Sequence, residues 1–298
     1  MTSELSSLCS YAKGKVSVDT LSKRNYVSTE NMMPNKGGIV DAGALPSAQY
    51  TQQYIKDDIL VSNIRPYFKK IWMADDDGGC SNDVLVFRAD RGCDSTFLYY
   101  ILANDAFFNY ASATSKGTKM PRGDKTAIMQ YKVPCFNYET QLRIGKLLRS
   151  IDDRIAVNKK INDNLQQQAA AFFSSLYDRS NTEVRFTDLI QILGGGTPKT
   201  GENTYWNGNI AFFTPKDVGT PYTLITEKTI SKEGLSHCNS RLYPVNTVFV
   251  TARGTVGKVG MSGVPMAMNQ SCYALVGKET HQLLVYFYTL KAVDRLKH

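Results

Sequence analysis

A seam of regularly spaced side chains in the middle of the chain constrains its fold more than any other feature. Ten positions from Ile144 to Leu176 follow one another at steps of four and three residues, in a stretch without proline. This 3.5-residue spacing predicts a long helix of the coiled-coil type. Pro134 precedes it, and Asn137 and Glu139 are residue types that favour a helix start. The seam consists of Ile144, Leu148, Ile151, Ile155, Asn158, Asn162, Leu165, Ala169, Phe172 and Leu176.

A helix with one apolar stripe has to pack on another helix. About 40 residues at 1.5 Å each form a rod of roughly 60 Å. The asparagines at 158 and 162 are expected to fix the register of the helix pair at some cost in stability. The predicted helix-pairing residues are Leu148, Ile151, Ile155, Leu165, Phe172 and Leu176.

The segments on either side of the predicted helix look like two copies of one domain. The similar runs are β-rich in both halves, and each half continues with an aromatic-rich stretch of helical character. The offset between matching positions is nearly the same throughout, which indicates an internal duplication. The second copy stops at the equivalent of Asn109 and is therefore expected to be incomplete. The matched pairs are 57–65 with 246–253, 81–86 with 270–275, and 97–110 with 282–296.

The glycine-rich turn at 194–200 reads Gly-Gly-Gly-Thr-Pro-Lys-Thr and invites comparison with phosphate-binding loops. The spacing of a P-loop is absent, and no helix is predicted to follow. An aromatic pair, a short strand and a second Thr-Pro-Lys turn come next. The turn is therefore interpreted as part of the domain fold, with Tyr205 and Trp206 packed behind it.

These motifs, in this order, resemble the target recognition domain of type I restriction-modification specificity subunits. The opening of that domain is similar to Gly-Gly-Thr-Pro-Lys-Thr, Tyr-Trp-Asn-Gly-Asn-Ile and Thr-Pro-Lys-Asp-Val within 195–218, and 250–258 fits the same family. In the first copy, 62–67 and 116–123 resemble variants of the domain. The resemblance covers nearly the whole chain, although Lys13-Gly14-Lys15-Val16 stands where the Gly-Gly-Thr-Pro turn would be.

The resemblance implies an α+β fold: two similar mixed α/β target recognition domains joined by a long coiled-coil-forming helix. The expected domains are 1–138 and 179–298, with the helical spacer at 139–178. In that family each domain reads one half of a bipartite site in double-stranded DNA. The chain would then be a non-catalytic specificity subunit without a cofactor of its own. Methyltransferase (modification) subunits and a restriction subunit would dock on it and carry S-adenosylmethionine, ATP and Mg.

Basic residues in turns bounded by glycine or proline are the DNA-facing candidates. Positive side chains hold phosphates, and Arg, Lys, Asn and Gln read base edges. The net charge of +8 is compatible with a polyanionic partner, and residues 179–298 carry a net charge of +5. The candidates are Arg65, Lys69, Lys70, Lys116, Lys119, Arg122, Lys199, Lys216, Arg253 and Lys258.

An enzyme carrying its own target recognition domains is the first alternative. Base methylation of this kind uses an Asn/Asp-Pro-Pro-aromatic loop, and the chain has no Pro-Pro dipeptide. The run Asp75-Asp76-Asp77 precedes two glycines and is interpreted as a solvated turn. Three histidines and six cysteines without a Cys-x-x-Cys pair give neither a zinc-ligand spacing nor a catalytic triad. The thiols are expected to be reduced and mostly buried.

A truncated assembly or regulatory form is the second alternative: it would bind methyltransferase subunits without reading a complete site.

The sequence also predicts where the protein is located. No apolar run approaches the roughly 18 to 20 residues that span a bilayer, and the start of the chain does not resemble a signal peptide. A cytoplasmic protein without membrane contact is therefore expected.

The seam of the central helix also predicts a partner. The duplication supplies no second long helix to cover it, and each large apolar side chain contributes about 1.5–3 kcal/mol when it is buried. The simplest cover is a second copy of the chain, paired antiparallel about a two-fold axis. The alternative is a monomer whose seam is covered by methyltransferase subunits.

Overall fold

The computed structural model describes residues 2–180, 183–219 and 221–297. The chain forms two compact units, Met1–Asn158 and Lys159–His298, and the boundary between them falls in the sequence of the central helix. No helix in the described ranges combines the length and the apolar character that a membrane span requires.

The first unit is built from three sheets and three short helices. Strands β2, β9, β6 and β7 form its main sheet in that order, and all of its pairs are antiparallel. A second sheet has the order β3, β5, β8 and β4, and β1 pairs with β10. The strands are β1 (Thr2–Glu4), β2 (Cys9–Tyr11), β3 (Lys15–Ser17), β4 (Tyr26–Val27), β5 (Tyr50–Tyr54), β6 (Ile59–Ser62), β7 (Ile71–Met73), β8 (Gly78–Cys80), β9 (Val84–Ala89) and β10 (Lys132–Pro134), and the helices are α1 (Ser95–Leu102), α2 (Asp105–Ala113) and α3 (Lys125–Met129). Single 3-10 turns lie at Leu5–Ser7, Val18–Thr20 and Pro66–Phe68.

The second unit repeats this plan with two sheets. The main sheet has the order β11, β18, β15, β16 and β13, and a three-stranded sheet has the order β14, β12 and β17. The strands are β11 (Ile190–Gly194), β12 (Trp206–Phe213), β13 (Tyr222–Thr223), β14 (Lys228–Ile230), β15 (Val248–Thr251), β16 (Val259–Ser262), β17 (Met266–Met268) and β18 (Cys272–Gly277). The central helix is α4 (Tyr138–Asp178), and the helices after it are α5 (Phe186–Leu189), α6 (Lys232–Ser236) and α7 (Gln282–Lys297), with a 3-10 turn at Asn203–Tyr205.

Both faces of the central strand β6 are buried. Successive side chains of a strand point to opposite faces. Ile59 and Val61 accordingly pack into the cluster under helices α1 and α2, while Leu60 packs into the cluster around Tyr54. A strand covered on both faces has an uninterrupted apolar sequence, which explains the Ile-Leu-Val run.

The internal duplication is confirmed by corresponding strands. In each unit the central strand pairs antiparallel with its two neighbours, β7 and β9 around β6 and β16 and β18 around β15. Asp57 and Asn246 precede the two central strands, and both have a φ of 69°. Their N–H groups donate to the carbonyls of Ala74 (2.9 Å) and Ser262 (2.8 Å). The offset between the copies in the sequence therefore holds at single backbone positions.

The two copies differ in their helices. The stretch predicted as helical at 97–110 is divided in the first unit into α1 and α2, whereas 282–296 lies within one helix, α7. Asn104 causes the division, because its Oδ1 accepts the N–H of Ala106 (2.9 Å) and caps α2.

The central helix α4 confirms the prediction from the seam. It begins after Asn137, whose Oδ1 accepts the N–H of Thr140 (2.9 Å). Near its start, Ile144 packs against the core of the first unit. Near its end, Phe173 stacks on Phe287 with ring centroids 5.3 Å apart in the second unit. All residues from 149 to 165 are exposed.

The glycine-rich turn is part of the fold of the second unit, as interpreted from the sequence. The N–H of Gly196 donates to the carbonyl of Met268 (3.1 Å), so the turn extends the pairing of β11 to the segment that precedes β18. A Cβ on Gly195 would overlap the carbonyl oxygen of Asn269, and one on Gly196 would lie 2.6 Å from the backbone nitrogen of Asn239. Only glycine allows this close approach of two backbones.

The carboxylate of Asp58 gives a test of the first unit's core. It is buried, it accepts two bonds from Arg88 (2.8 and 2.6 Å), and it accepts the N–H of Ile55 (2.9 Å). We expect Asp58→Asn to lower the free energy of unfolding by about 1–3 kcal/mol, because it leaves the guanidinium without its charged partner. The measurement is urea unfolding followed by Trp72 fluorescence in a Trp206→Phe background, so that only the first unit is reported.

Arg143→Ala is the control for this substitution. Arg143 pairs with Glu139 on the exposed surface of α4, and pairs of that kind contribute about 0–1 kcal/mol. Equal urea midpoints for Asp58→Asn and Arg143→Ala would show that the buried pair does not stabilise the unit.

The glycine-rich turn gives a second test. We expect Gly195→Ala to destabilise the second unit by about 1–3 kcal/mol, because the added methyl group has to displace the backbone at Asn269. Urea unfolding followed by Trp206 fluorescence, in a Trp72→Phe background, measures the effect. Gly201→Ala is the matched control, since a Cβ at that position meets nothing within 4 Å. Gly195→Ala with the stability of Gly201→Ala would contradict the structural role of the turn.

Candidate nucleic-acid interface

In the first unit, a hairpin joins two of the predicted DNA-facing segments. The N–H groups of Lys116 and Arg122 each donate to the other residue's carbonyl at 2.9 Å, and 117–120 between them are exposed. The hairpin docks on the end of β6: the N–H of Arg65 donates to Pro121 (2.8 Å) and that of Gly123 donates to Asn63 (3.1 Å). The structure thus brings 63–65 and 116–123 together, although the two segments lie far apart in the sequence.

Two further turns join this hairpin through their backbones. The N–H of Asn35 donates to Phe68 and that of Lys36 donates to Lys69, both at 2.8 Å. Asn35, Lys36, Arg65 and Lys69 all have a φ between 51° and 62°. Non-glycine residues seldom adopt this left-handed conformation, and it concentrates at functional sites. Four of them in adjoining turns mark this end of the unit as a candidate site.

Carboxylates pair with three of the six candidate cations in the first unit. Lys69 and Lys36 both pair with Asp105, at 2.9 and 2.7 Å. The two ammonium groups hold the pKa of the Asp105 carboxyl below its usual range, Lys36 first. The other pairs join Lys116 to Asp124 at 2.5 Å and Arg122 to Asp83 at 3.1 Å. The bond with Asp124 raises the pKa of Lys116 and lowers that of Asp124, so this pair is ionised at neutral pH.

The remaining three candidates of the first unit have different surroundings. Lys119 is exposed at the hairpin tip and forms no ion pair among the described residues. Lys70 donates to the carbonyl of Thr29 (2.6 Å), which directs its ammonium group back to the protein. Arg65 is half-buried, and its Nε, like Oδ1 of Asn63, is buried without a hydrogen-bond partner in the described ranges. Each unpaired group of this kind costs about 1–3 kcal/mol, so stability alone does not account for the arrangement.

In the second unit, three predicted segments meet around Met268–Ser271. The turn at 194–200 reaches it through Gly196, and the carbonyl of Phe213 at the end of β12 accepts the N–H of Asn269 (3.0 Å). The loop at 252–258 reaches it through Ala252, which donates to the carbonyl of Ser271 (2.8 Å). The hydroxyl of Thr197 also bonds the side chain of Gln270.

All four candidate cations of the second unit are exposed. Lys216 lies 3.9 Å from Glu227, while Lys199, Arg253 and Lys258 form no ion pair within the described part of the chain. The second unit therefore presents more uncompensated positive charge in its loops than the first. This agrees with the charge distribution along the sequence.

The aromatic pair of the second unit packs behind the turn, as predicted. The indole N–H of Trp206 donates to the carbonyl of Lys199 (3.1 Å), and its ring meets Phe212 edge-on. The ring of Tyr205 stacks on His237 with centroids 4.9 Å apart.

The sequence analysis missed Lys36, Asp105 and an exposed aromatic pair. Tyr67 and Phe68 lie on the surface beside Lys69, with ring centroids 4.8 Å apart. Lys36 precedes two glycines and satisfies the rule that selected the other candidates. No sequence signal connects Asp105 to the site, because its contact depends on the position of α2.

The described ranges contain no group of three or more His, Cys, Asp or Glu side chains arranged to hold a metal ion. Asp75, Asp76 and Asp77 are exposed in a turn, as interpreted from the sequence. All six cysteines are free, and three of them, Cys9, Cys80 and Cys272, are buried. Burial raises the pKa of the Cys80 and Cys272 thiols to about 12, which makes them unreactive at neutral pH.

Comparisons with known proteins agree with the duplicated fold. The family model of the type I restriction modification DNA specificity domain matches the chain twice, at residues 1–167 and 179–298. The S subunit of a type I restriction-modification system from M. genitalium has a similar fold, with a TM-score of 0.62 and 16% identity over 100% of this chain and 79% of that one.

Two curated relatives are specificity subunits of type I restriction enzymes. The MjaIX subunit of Methanocaldococcus jannaschii is 29% identical over 115 residues, 37% of this chain and 27% of that protein. The EcoR124I/EcoR124II subunit of Escherichia coli is 29% identical over 169 residues, 52% of this chain and 42% of that protein. The matched regions thus span less than half the length of either relative. Because the family model covers both halves, the chain belongs to the family of type I restriction-modification DNA specificity domains.

Proposed function

We propose that the chain recognises a bipartite site in duplex DNA and directs partner methyltransferase and restriction subunits to it. Each unit reads one half of the site with the loops at one end of its main sheet. Catalysis belongs to the partners, which bring S-adenosylmethionine, ATP and Mg. The protein acts in the cytoplasm, where its DNA lies.

The observation that carries this proposal is the clustering of basic loops at equivalent ends of the two units. In the first unit the hairpin at 116–123 meets the end of β6, and in the second unit the loop at 252–258 follows the end of β15. Duplicated units that gather cations on equivalent loops suit a ligand with a repeated, negatively charged backbone. Duplex DNA has that property, and the family of the chain supports it.

The ion pairs of the first unit are compatible with DNA binding. Lys36, Lys69, Lys116 and Arg122 pair with carboxylates near the surface, and exposed pairs contribute little to stability. A phosphate can therefore replace a carboxylate at small cost. Until it does, the carboxylates keep the cations in fixed positions.

The roles of the cations give a test with DNA. We expect Lys258→Ala and Lys119→Ala to weaken binding to all duplexes similarly and to reduce the slope of log affinity against log salt by about 1 each, because each removes one phosphate contact. Arg253→Ala is expected to relax specificity at one base pair by about 1–3 kcal/mol. Fluorescence anisotropy with cognate and altered duplexes, on the chain with its methyltransferase subunits, measures both effects.

Lys159→Ala is the control for these variants, since Lys159 is exposed on α4 and belongs to neither loop cluster. A combined Lys69, Lys119, Arg253 and Lys258 to Ala variant that binds DNA like wild type would contradict the assignment of the interface. A wild-type complex that assembles with methyltransferase subunits but binds no duplex selectively would favour the assembly or regulatory form instead.

We further propose that the exposed seam of α4 pairs with a second copy of the chain. Ile151, Ile155, Leu165, Phe172 and Leu176 are all exposed, whereas Leu148 is half-buried. Burying each of these five contributes about 1.5–3 kcal/mol before allowance for partial exposure, which is large beside the stability of most domains. An antiparallel pair about a two-fold axis would cover both seams at once.

The seam gives a test by oligomeric state. We expect the wild-type chain to be a dimer at micromolar concentration, and Ile155→Glu or Leu165→Glu to raise the dimer dissociation constant more than tenfold, because each buries a charge in the seam. Val157→Glu is the control, since Val157 is exposed about 200° around the helix from Ile155. Light scattering is the measurement. A wild-type chain that is a monodisperse monomer would rule out the dimer and favour methyltransferase subunits as the cover.

A further inference from the structure

The first unit contains an open cavity of about 420 Å³ where the second unit has its glycine-rich turn. It is lined by Lys13, Gly14 and Lys15, by Tyr50–Gln52 of β5, and by Asn82 with the start of β9. Tyr11 and Lys125, the first residue of α3, complete the polar lining. A cavity of this size falls in the range of small-ligand sites.

The cavity lies where the edge strands β2 and β11 of the two main sheets are paired over different lengths. In the second unit β11 pairs with β18 as far as Gly194 opposite Tyr273, and Gly196 continues the contact at Met268. In the first unit the pairing of β2 ends at Tyr11, with one more bond from Ala12 to Val86 (2.8 Å). The chain then leaves the edge of β9 beside Leu85 and Val84, at the residues that depart from the family's glycine-rich turn.

The walls of the cavity carry positive charge without a compensating acid. Lys13, Lys15 and Lys125 line it, and no lining residue is acidic. None of the three lysines forms an ion pair among the described residues, and Lys125 lies 6.0 Å above the ring of Tyr11. The nearest acids along the chain, Asp83 and Asp124, are already paired with Arg122 and Lys116.

The other lining groups are those that contact nucleotides. Asn82 offers an amide, which can bond a base edge, and the exposed Tyr50 offers a ring on which a base can stack. Three ammonium groups, this amide and this phenol ring around one opening favour a ligand with a phosphate and a planar polar group. An apolar ligand would leave the lysines and the Asn82 amide without partners.

We propose that this cavity binds the phosphate of a nucleotide, with Lys13 and Lys15 as its main contacts and Lys125 as a third. The nucleotide is either part of a DNA strand that continues past the hairpin at 116–123, or a free nucleotide. The hairpin and the cavity adjoin, because Asp124 pairs with Lys116 and caps the helix that begins at Lys125. The DNA form of the proposal rests on the proposed function, and the free-nucleotide form does not.

The experiment compares two variants of equal charge in the full chain. Lys13→Ala/Lys15→Ala removes two cavity lysines, and Lys23→Ala/Lys56→Ala removes two exposed lysines outside it. The first measurement is calorimetric titration with deoxyadenosine monophosphate and, separately, with inorganic phosphate. The second is duplex affinity as a function of salt, with methyltransferase subunits present. Lys125→Ala is measured in both arms as an independent single variant.

We expect the cavity variant to differ from the control in one arm only. If the source is free nucleotide, its affinity for the monophosphate falls at least tenfold while the control binds like wild type. If the source is DNA, its salt slope falls by about 1 relative to the control, since about 0.9 of slope is lost per phosphate contact and the cavity holds one phosphate. In either case Lys125→Ala shows a smaller change of the same sign.

Equal behaviour of the cavity variant and the control in both arms overturns the inference. That result leaves the proposed function intact if wild type still binds duplex selectively. A wild-type chain that fails to bind duplex contradicts the proposed function, and the titration with monophosphate then decides the inference alone.

Discussion

Burial of both faces of the central strands is the constraint on which each unit depends. Ile59 and Val61 point to one core and Leu60 to the other, and in the second unit Val248 and Phe249 divide in the same way. A one-residue slip of either strand would exchange the two faces, so its register is fixed by packing. Fixed strands have fixed ends, and the loops that leave those ends carry the basic residues. The precision of the candidate interface therefore derives from the cores and not from the loops themselves.

The loops of the first unit show what this rigid support allows. Lys36, Arg65 and Lys69 adopt a left-handed backbone conformation that each would avoid in an isolated peptide. Such residues persist only where the surroundings determine them, here through backbone bonds between adjoining turns. The result is a set of long cationic side chains that extend from fixed backbone positions. Less conformational freedom then remains to be lost when they contact a ligand.

Periodicity and internal repetition predicted the architecture, but not the contacts that complete the site. The seam from Ile144 to Leu176 predicted α4 to within a residue or two, because its 3.5-residue spacing does not depend on the side chains at the other positions of the helix. The constant offset between the two copies predicted corresponding strands, because it relates matching positions of the two halves. The break between α1 and α2 at Asn104 was missed, because a single capping residue divides a stretch whose other residues have helical character. The pairing of Asp105 with Lys36 and Lys69 could not be predicted, because it joins three separate segments through tertiary packing.

Duplication gives two units with the same frame, and selection can then alter one turn without the other. The second unit keeps a glycine turn packed on Asn269, where no side chain fits. The first unit replaces it with Lys13-Gly14-Lys15, which no longer follows the edge of β9. The corresponding strands of the two main sheets keep the same order, β2, β9, β6, β7 and β11, β18, β15, β16, and the change adds two cations beside the hairpin. Unequal turns on equal frames would suit the proposed reading of two different half-sites, because the cores stay the same while the turns at their ends differ.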